Sequence, residues 1–560
     1  MMRGPLLVVS TFEKGRGGGH LVRSVVLVRS LRSRHREAYL TIPGLREEEV
    51  HSPLFSEDCI PWLIRDEKTL RTKPWEGIIL DCFRTTPAEF ARWSALAPLI
   101  GIDEGGPRRD SFDFLMDLLP GPPGRSTPNI LSPGLLPLPQ NRRASFTAPK
   151  RLTLHVLVSF GMEDPAGLTL PVCLALKAPG QTAITALFGG HNPAGAKALA
   201  AAGIRVVEGL AELREQLAEY DLLVTHFGLT AFESLAARVP VILLSPGRYH
   251  EQLAHHAGFL SAGIREKGVR RLRRILYTKT PEALLLNDEA LHALGNRCER
   301  IRTRYELDPP GGDAAPSPRN LGDLLAVSSL RVPVSCPICG NQVPAKDPVC
   351  ARFPDRTYRR CGRCGTVYLL RSSLPPIVYE RDYFFTLYKR QYGKTYLEDF
   401  PNLVQAGKDR LGRIKRLLSR TGGFPQPRVL DIGCAYGPFL VAAREEGFAP
   451  FGMDPAEDAV RYVRDELRIP AFQGFFPETP LPEEVTREGF DLISLWYVIE
   501  HFERPAAVLW ELYRLLKPGG VLAFATPSGS GISGRRSFKR FLEQSPPDHW
   551  TIWKPAQTRD

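Results

Sequence analysis

The sequence predicts an α/β protein in four folded regions: two wound α/β lobes in series, a small cysteine-knuckle module, and a third α/β domain with a Rossmann-like sheet. Three observations carry this. Apolar runs of strand length alternate with helical stretches over residues 6–300. Two CxxC pairs follow a Pro/Gly-rich break. A buried-strand pattern then runs into a two-glycine turn at residues 428–440, RVLDIGCAYGPFL.

A chain of 560 residues is too long for one core. The spacing predicts a first lobe at 1–150, a second at 151–306, a linker at 307–334, a cysteine module at 335–372, an aromatic connector at 373–402 and the last domain at 403–560. A hydrophobic content of 43% suits a soluble globular protein, and a net charge of +12 is modest at this length and as compatible with anionic small ligands as with nucleic acid. Basic runs such as 269–274 read as solvated helix faces. No apolar run approaches membrane length, and the ten cysteines are scattered apart from the two pairs. A reducing cytoplasm is the expected location.

In the first lobe, strands are expected at 6–10, 38–42, 77–81 and 99–103, with a helix at 87–95. In the second they are expected at 153–159, 182–188, 221–225 and 241–244, with SFGMEDPAG (159–167) opening the lobe. The loop GRGGGHLVRS holds Gly17 and Gly19, which permit a tight turn, and His20, which begins a helix whose free N–H groups can face an anion. In YDLLVTHFGLTAFESLAARVPVILLS a strand ends at Thr225, and a turn with Gly228 and Thr230 follows. Glu233 lies one helical turn further on. Backbone amides at that turn can hold a diphosphate, and Glu233 a ribose diol. Gln252 stands at a later helix start.

These residues resemble the UDP-sugar hydrolase of pseudaminic acid biosynthesis and its spore-coat polysaccharide relatives, and more distantly the N-acetylglucosaminyltransferase of peptidoglycan synthesis. The resemblance implies a two-lobed GT-B-like architecture with a cleft between the lobes. By it, His20 is the reactive-centre histidine, acting as general base or orienting a water, with Arg23 in the same loop. Gly17, Gly19, Arg23, Gly228, Thr230, Glu233 and Gln252 would hold a nucleotide sugar, UDP- or CMP-linked. The chain departs from the family pattern at 8–13, where VVSTFE replaces an acidic, arginine-bearing strand end, at Asp103-Glu104, where paired Asp is usual, and at Glu251, where Asn is usual. Binding of a nucleotide sugar is therefore the firmer implication, and a capping or packing histidine is the alternative for His20.

The segment DPPGGDAAPSPRN cannot bury enough surface to fold alone. Beyond it, Cys336 and Cys339 pair with Cys361 and Cys364 as two knuckles, each followed by a glycine. Four thiolates suffice for a closed, structural zinc site, with a redox pair or plain buried cysteines as alternatives. Cys350 reads as a bystander. A zinc ribbon ahead of such a domain resembles the amino-terminal module of sugar C-methyltransferases. The aromatic stretch 379–396 reads as a cap over a cofactor mouth or as a plain packing connector.

In the last domain the strand reaches Asp431, turns through Gly433 and Gly437, and is followed by a second strand ending at Asp454. That is one β-α-β unit whose second carboxylate is placed for a ribose diol. FDLISLWYVIEHFERP and LLKPGGVLAFATP supply a further strand-loop and a helix-turn-strand. Together the four motifs resemble the class I S-adenosylmethionine (SAM) methyltransferases. The resemblance implies that Asp431, Gly433, Ala435 and Gly437 line the methionine part of SAM and that Asp454 grips the ribose. Met453 and Phe475 would flank the adenine, unless they are core, and Trp496 would border the cofactor. Alanine at 435 is expected to keep a negative φ. Glu500 and His501 follow the fourth strand, where His501 can serve as base or the pair can be structural. The sheet is expected to lack the last two strands of that fold, leaving an edge for a protein partner to cover.

The function expected is a SAM-dependent methyltransferase fused to a nucleotide-sugar-binding, hydrolase- or glycosyltransferase-like module in surface glycan synthesis, acting on a nucleotide sugar or glycan acceptor. One alternative is a nucleotide-sugar-binding scaffold with an inactive methyltransferase half. The other, a nucleic-acid methyltransferase, lacks an aromatic–basic stripe.

Overall fold

The computed structural model describes residues 3–11, 19–45, 57–146, 153–161, 164–178, 180–187, 193–207, 213–279, 284–308, 318–342, 347–372, 385–386, 388–419 and 426–555. The chain divides into two compact units: residues 1–330 with 352–355, and residues 331–351 with 356–560.

The first unit holds two parallel six-stranded sheets. One is ordered β2-β1-β3-β4-β5-β6, with β1 Leu6–Ser10, β2 Ala38–Thr41, β3 Gly77–Asp81, β4 Leu99–Ile102, β5 Phe114–Asp117 and β6 Ile130–Leu131. Strands β1, β3, β4 and β5 are buried along their whole length, so their sequences are continuous apolar runs rather than alternating ones. The other sheet is ordered β12-β11-β10-β7-β8-β9. Its strands are β7 Leu154–Ser159, β8 Thr182–Leu187, β9 Arg205–Val207, β10 Leu222–Thr225, β11 Val241–Ser245 and β12 Ser261–Ile264. Both are wound parallel α/β sheets, the fold class expected from sequence. A short antiparallel hairpin, β13 Tyr277–Lys279 and β14 Leu284–Leu286, follows.

Residues 318–330 are not linker. The helix Leu321–Val327 is capped by the Asn320 side chain and buries Leu321, Leu325 and Ala326. It lies against the helix Gly19–Ser33, with Ser30 donating to Asn320 at 2.9 Å and Arg34 paired with Asp323 at 2.9 Å. Its apolar residues recur at helical spacing, so it gains by packing what it lacks in length. Residues 309–317 lie outside the described residues.

The second unit combines two sheets. A parallel one, ordered β20-β19-β18-β21-β22, contains β18 Arg428–Ile432, β19 Ala449–Asp454, β20 Ala471–Gln473, β21 Phe490–Trp496 and β22 Leu516–Ala525. This is a Rossmann-like sheet of five strands, with the crossover between β18 and β21 that puts a ligand crevice at their carboxyl ends. A second, four-stranded sheet contains β15 Val349–Phe353, β16 Arg356–Arg360, β17 Val367–Arg371 and β23 Thr551–Ile552. Strand β23 comes from the carboxyl-terminal segment, where the sequence signals no strand. It pairs instead with the cysteine module, Val367 opposite Ile552 and Tyr368 opposite Thr551. Burial explains the difference: Thr551, Ile552 and Trp553 are all inside.

Leu325→Ala should lower the stability of the chain by about 2–4 kcal/mol in urea unfolding. A linker residue would change it by less than about 0.5 kcal/mol.

Candidate functional site

At the carboxyl end of β3, Asp81 is fully buried. Arg23 reaches it from the helix Gly19–Ser33 through Nε at 2.8 Å and Nη2 at 2.5 Å, and reaches Asp103 through Nη1 at 2.5 Å. His20, one turn earlier, places Nδ1 2.6 Å from Asp81 Oδ1. Burial pushes the Asp81 carboxyl up, but the Arg23 guanidinium and His20 outweigh it and hold that carboxyl well below the usual range. Burial opposes the charge on Arg23 too, and the two carboxylates prevail and raise it. Arg23, expected to touch a nucleotide sugar, is 5% exposed and is committed to these carboxylates. Its place is to set Asp81, which in turn orients His20 through Nδ1. Asp103 also accepts from the Leu118 and Leu119 amides, and Glu104 from Thr85 and Gly106, so this pair is internal as well.

The helix Leu229–Ala236 starts at Gly228, with Thr230 in its first turn and half-buried. Gly19 meets it, since a Cβ there would lie 3.6 Å from Leu229 Cδ1. Glu233 is half-buried, and burial pushes its carboxyl up to about 7. Gln252 is exposed on the helix Arg248–Ala257, while Glu251 is tied to Ser261 at 2.6 Å. Gly17 lies outside the described residues. Between the lobes stand rings that sequence reasoning missed. Phe83 lies 6.2 Å from both His20 and Tyr249, and His226 5.7 Å from His250. Phe83 has a φ of 61°, a strained value for a bulky residue. Asp81 was missed too, although it ends the run GIILD as Asp454 ends its own strand.

In the second unit the predicted bend is assembled. Asp454 Oδ2 accepts from the Ala435 amide at 2.8 Å, and Oδ1 from the Ala456 amide at 2.9 Å. Asp431 accepts from Ser494 Oγ at 2.6 Å. Burial pushes Asp431 up to about 7, with Ser494 and Arg410 opposing and Asp454 adding to the rise. Burial likewise pushes Asp454 up to about 6 against its two backbone bonds. Gly433 and Gly437 have φ of 73° and 79°. A Cβ on Gly433 would lie 2.3 Å from Val498 Cγ2, so the close neighbour that demands glycine here is a side chain of the chain itself. Ala435 has a φ of 48°, against the expectation of a negative value. The left-handed turn aims its amide at Asp454, and that bond offsets a strain of about 1 kcal/mol.

Met453 is 1% exposed and packs with Leu430, Ile432 and Phe476, whereas Phe475 is 60% exposed. Trp496 is half-buried, 5.0 Å from Phe439 and with the Arg410 guanidinium 4.3 Å from its ring. From the connector, Tyr396 lies 6.2 Å from Tyr436, the residue between Ala435 and Gly437, and Phe385 lies 5.9 Å from it. Burial first, then Asp431 and Asp454, raise the Tyr396 phenol well above its ordinary value. The connector residues 379–384 lie outside the described residues.

Glu500 and His501 lie in the turn Ile499–His501 after β21. His501 Nδ1 is 2.8 Å from Asp548, and its ring is 4.7 Å from that of His549. Asp548 and His549 carried no signal in the sequence, because their partners are more than forty residues away. The four cysteines converge: Cys336 and Cys364 sulfurs are 3.7 Å apart, and Cys339 and Cys361 sulfurs 3.6 Å. Cys350 is not among them.

Residues 406–559 match the family model of a methyltransferase domain, so the second unit carries a methyltransferase domain. The chain is 29% identical over 171 residues to the ubiquinone biosynthesis O-methyltransferase of Histophilus somni, covering 28% of this chain and 71% of that one. It is 26% identical over 153 residues to the protein of that name from Klebsiella pneumoniae, covering 26% and 63%. The chain thus spans roughly two thirds of these curated relatives. Among solved structures, CalG4, the calicheamicin glycosyltransferase, aligns at 14% identity over 55% of this chain and 95% of its own, with a TM-score of 0.35. A SAM-dependent methyltransferase from Archaeoglobus fulgidus aligns at 21% identity over 31% and 71%, with a TM-score of 0.23.

Arg23→Met should destabilise the chain by about 3–5 kcal/mol, because it strands two buried carboxylates. Adding Asp81→Asn should recover part of that loss. Denaturant unfolding of both variants checks it, and strictly additive losses would contradict the coupling.

Proposed function

We propose that the second unit is a SAM-dependent methyltransferase whose cofactor lies at the carboxyl ends of β18 and β19. The observation that carries this is Asp454, its carboxylate held by the Ala435 and Ala456 amides beside the Gly433–Gly437 bend. When bound, SAM supplies a methyl group already activated by its sulfonium charge. The chain's task is then to bind, orient and exclude water. Each Asp454 oxygen keeps acceptor capacity after its backbone bond, which suits a ribose diol. Asp431 suits the cationic amino-acid end. Burial resists the ionised form of both carboxylates, so a cationic ligand would relieve a cost already present in the fold. Tyr396, Tyr436 and Phe385 would close over the bend, and Phe475 offers an exposed aromatic face.

The four cysteines fit zinc. Tetrahedral Zn–S bonds of about 2.3 Å put sulfurs about 3.8 Å apart, close to the spacings seen. Gly340 and Gly365, both with positive φ, close the knuckles by donating to the Cys336 and Cys361 carbonyls at 3.0 and 2.9 Å. Four thiolates leave no open position, so the ion would be structural and the module a zinc ribbon.

The first unit would bind a nucleotide sugar between its lobes, with the start of the helix Leu229–Ala236 at the diphosphate, Glu233 at the ribose and His20 at the sugar. The whole chain would then serve surface glycan or nucleotide-sugar synthesis in the cytoplasm. One observation favours a binding scaffold over a hydrolase for this unit: Asp103 and Glu104 are consumed internally, leaving the Asp81–His20 pair as the acid–base group.

Calorimetry should show SAM binding to the full chain and its loss in Asp454→Ala. Affinity should fall at acid pH, since protonation removes the charge that the ligand needs. Asp431 and Asp454 titrate at about 7 and about 6. Binding should therefore be at least about tenfold weaker at pH 5 than at pH 8, and a flat profile would sink the carboxylate roles. In thermal-shift screening of UDP-, GDP- and CMP-sugars, at least one should stabilise the wild type more than Glu233→Ala. Product analysis with that ligand separates turnover from binding.

A further inference from the structure

A basic stretch that neither proposed site uses forms the helix Arg265–Leu276 of the first unit, REKGVRRLRRIL. Gly268, Leu272 and Leu276 recur every fourth residue and make its buried stripe. Close approach requires glycine at 268, since a Cβ there would lie 2.8 Å from the Gly263 carbonyl oxygen. At about 3.6 residues per turn, Lys267, Arg270, Arg271, Arg273 and Arg274 fall on the opposite face. All five are exposed. Arg265 is not one of them, because its Nε donates to the Pro246 carbonyl at 2.9 Å.

Two features distinguish this face from an ordinary solvated one. Among the described residues, none of these five side chains has an ion-pair or hydrogen-bond partner. Exposed arginines on other helices are answered: Arg71 meets Glu67 and Arg461 meets Glu457, each at 2.9 Å and one turn away. The helix Arg265–Leu276 itself carries one carboxylate, Glu266. The cations also stand against one another. Lys267 faces Arg270 and Arg271, Arg270 faces Arg273 and Arg274, and Arg271 faces Arg274, all at i,i+3 or i,i+4. Like charges at those separations destabilise a helix. Folding gains nothing from such a row, whereas an anionic partner would turn the repulsion into attraction.

We propose that this face docks the first unit on an anionic phospholipid surface. Charge complementarity carries the choice: a strip about 18 Å long, all of one sign, meets a plane of phosphates. Each basic side chain held near such a plane strengthens adsorption about fivefold. The apolar stripe of the helix is committed to its own lobe, so attachment is by charge and not by insertion. Leu285, 43% exposed and opposite Thr278 in the hairpin that follows the helix, adds an apolar contact beside the strip. Nucleic acid fits less well, since residues 265–276 hold no aromatic ring on which a base could stack. No helix among the described residues is long and apolar enough to cross a membrane, so the contact is a peripheral one. It rests on neither functional reading above.

The test is co-sedimentation of the full chain with vesicles, either of phosphatidylcholine alone or of equal parts phosphatidylcholine and phosphatidylglycerol. Only the anionic vesicles should carry the protein down. Raising salt from about 0.1 M to about 1 M, which cuts the screening length from about 10 Å to about 3 Å, should release it. Replacing Arg270, Arg271, Arg273 and Arg274 together by Gln should weaken adsorption at least about 100-fold, and Arg270→Gln with Arg274→Gln about 25-fold. A control with Arg413, Arg416, Arg535 and Arg536 replaced by Gln, all exposed in the second unit, makes the same change in net charge and should stay bound. The fourfold helix variant should melt no lower than the wild type, because the charges it loses repel one another. Should it fail to fold, the double variant and the control still decide the matter. Equal binding to both vesicle types, or equal losses in the helix variant and the control, would overturn the proposal. So would fluorescence anisotropy showing that duplex DNA or single-stranded RNA binds this strip more tightly than the anionic vesicles.

Discussion

A carboxylate buried at the carboxyl end of a parallel strand is the constraint on which both units turn. Asp81 follows an apolar run in β3, Asp431 lies one residue from the end of β18, and Asp454 ends β19. Each sits in the crevice that a doubly wound sheet opens at that edge. Taking a carboxylate out of water is expensive, and the two units answer the expense differently. In the first, Arg23 and His20 lie against Asp81, and the result is an internal ion network. In the second, Asp431 has a hydroxyl and Asp454 has two backbone amides, and among the described residues no contacting cation completes either. The same strand-end chemistry therefore gives a pre-set acid–base pair in one place and an unmet demand for positive charge in the other.

Backbone conformation delivers these partners. The bend after β18 carries positive φ at Gly433, Ala435 and Gly437, alternating with ordinary residues. Alternation of that kind turns successive amides toward one side, the geometry of an anion-binding nest. At Ala435 the amide meets Asp454, and at Gly433 it meets the Met453 carbonyl at 2.7 Å. Alanine in a left-handed conformation persists because its neighbours over-determine it: Tyr436, Ala456 and Ala459 pack around it.

Much of this was legible in the sequence because the signals are local. Continuous apolar runs place β3 at Gly77–Asp81 and β18 at Arg428–Ile432, and the intervals to Asp454 and between the CxxC pairs bring those groups to one place. What escaped depends on contacts between distant stretches. Arg23 looks like a ligand residue until Asp81 and Asp103 arrive from other strands. The helix Leu321–Val327 is too short to announce itself and forms against the helix Gly19–Ser33. The φ of Ala435 is set by a hydrogen bond to a residue nineteen positions on.

The segment 545–553 shows the same point at its strongest. Its Trp550 carbonyl accepts from the Leu369 amide in β17, while its Trp550 amide donates to the Glu500 carbonyl after β21. One peptide plane on each side of Trp550 thus joins the cysteine module to the parallel sheet. Asp548 and His549, immediately before it, reach His501. A strand as short as β23 has little stability alone and persists only while β17 is in place to pair with it. The paired strands β17 and β23 thus connect the cysteine module to the histidines at the carboxyl end of β21. The module acts as a brace for that side of the crevice rather than as an independent appendage.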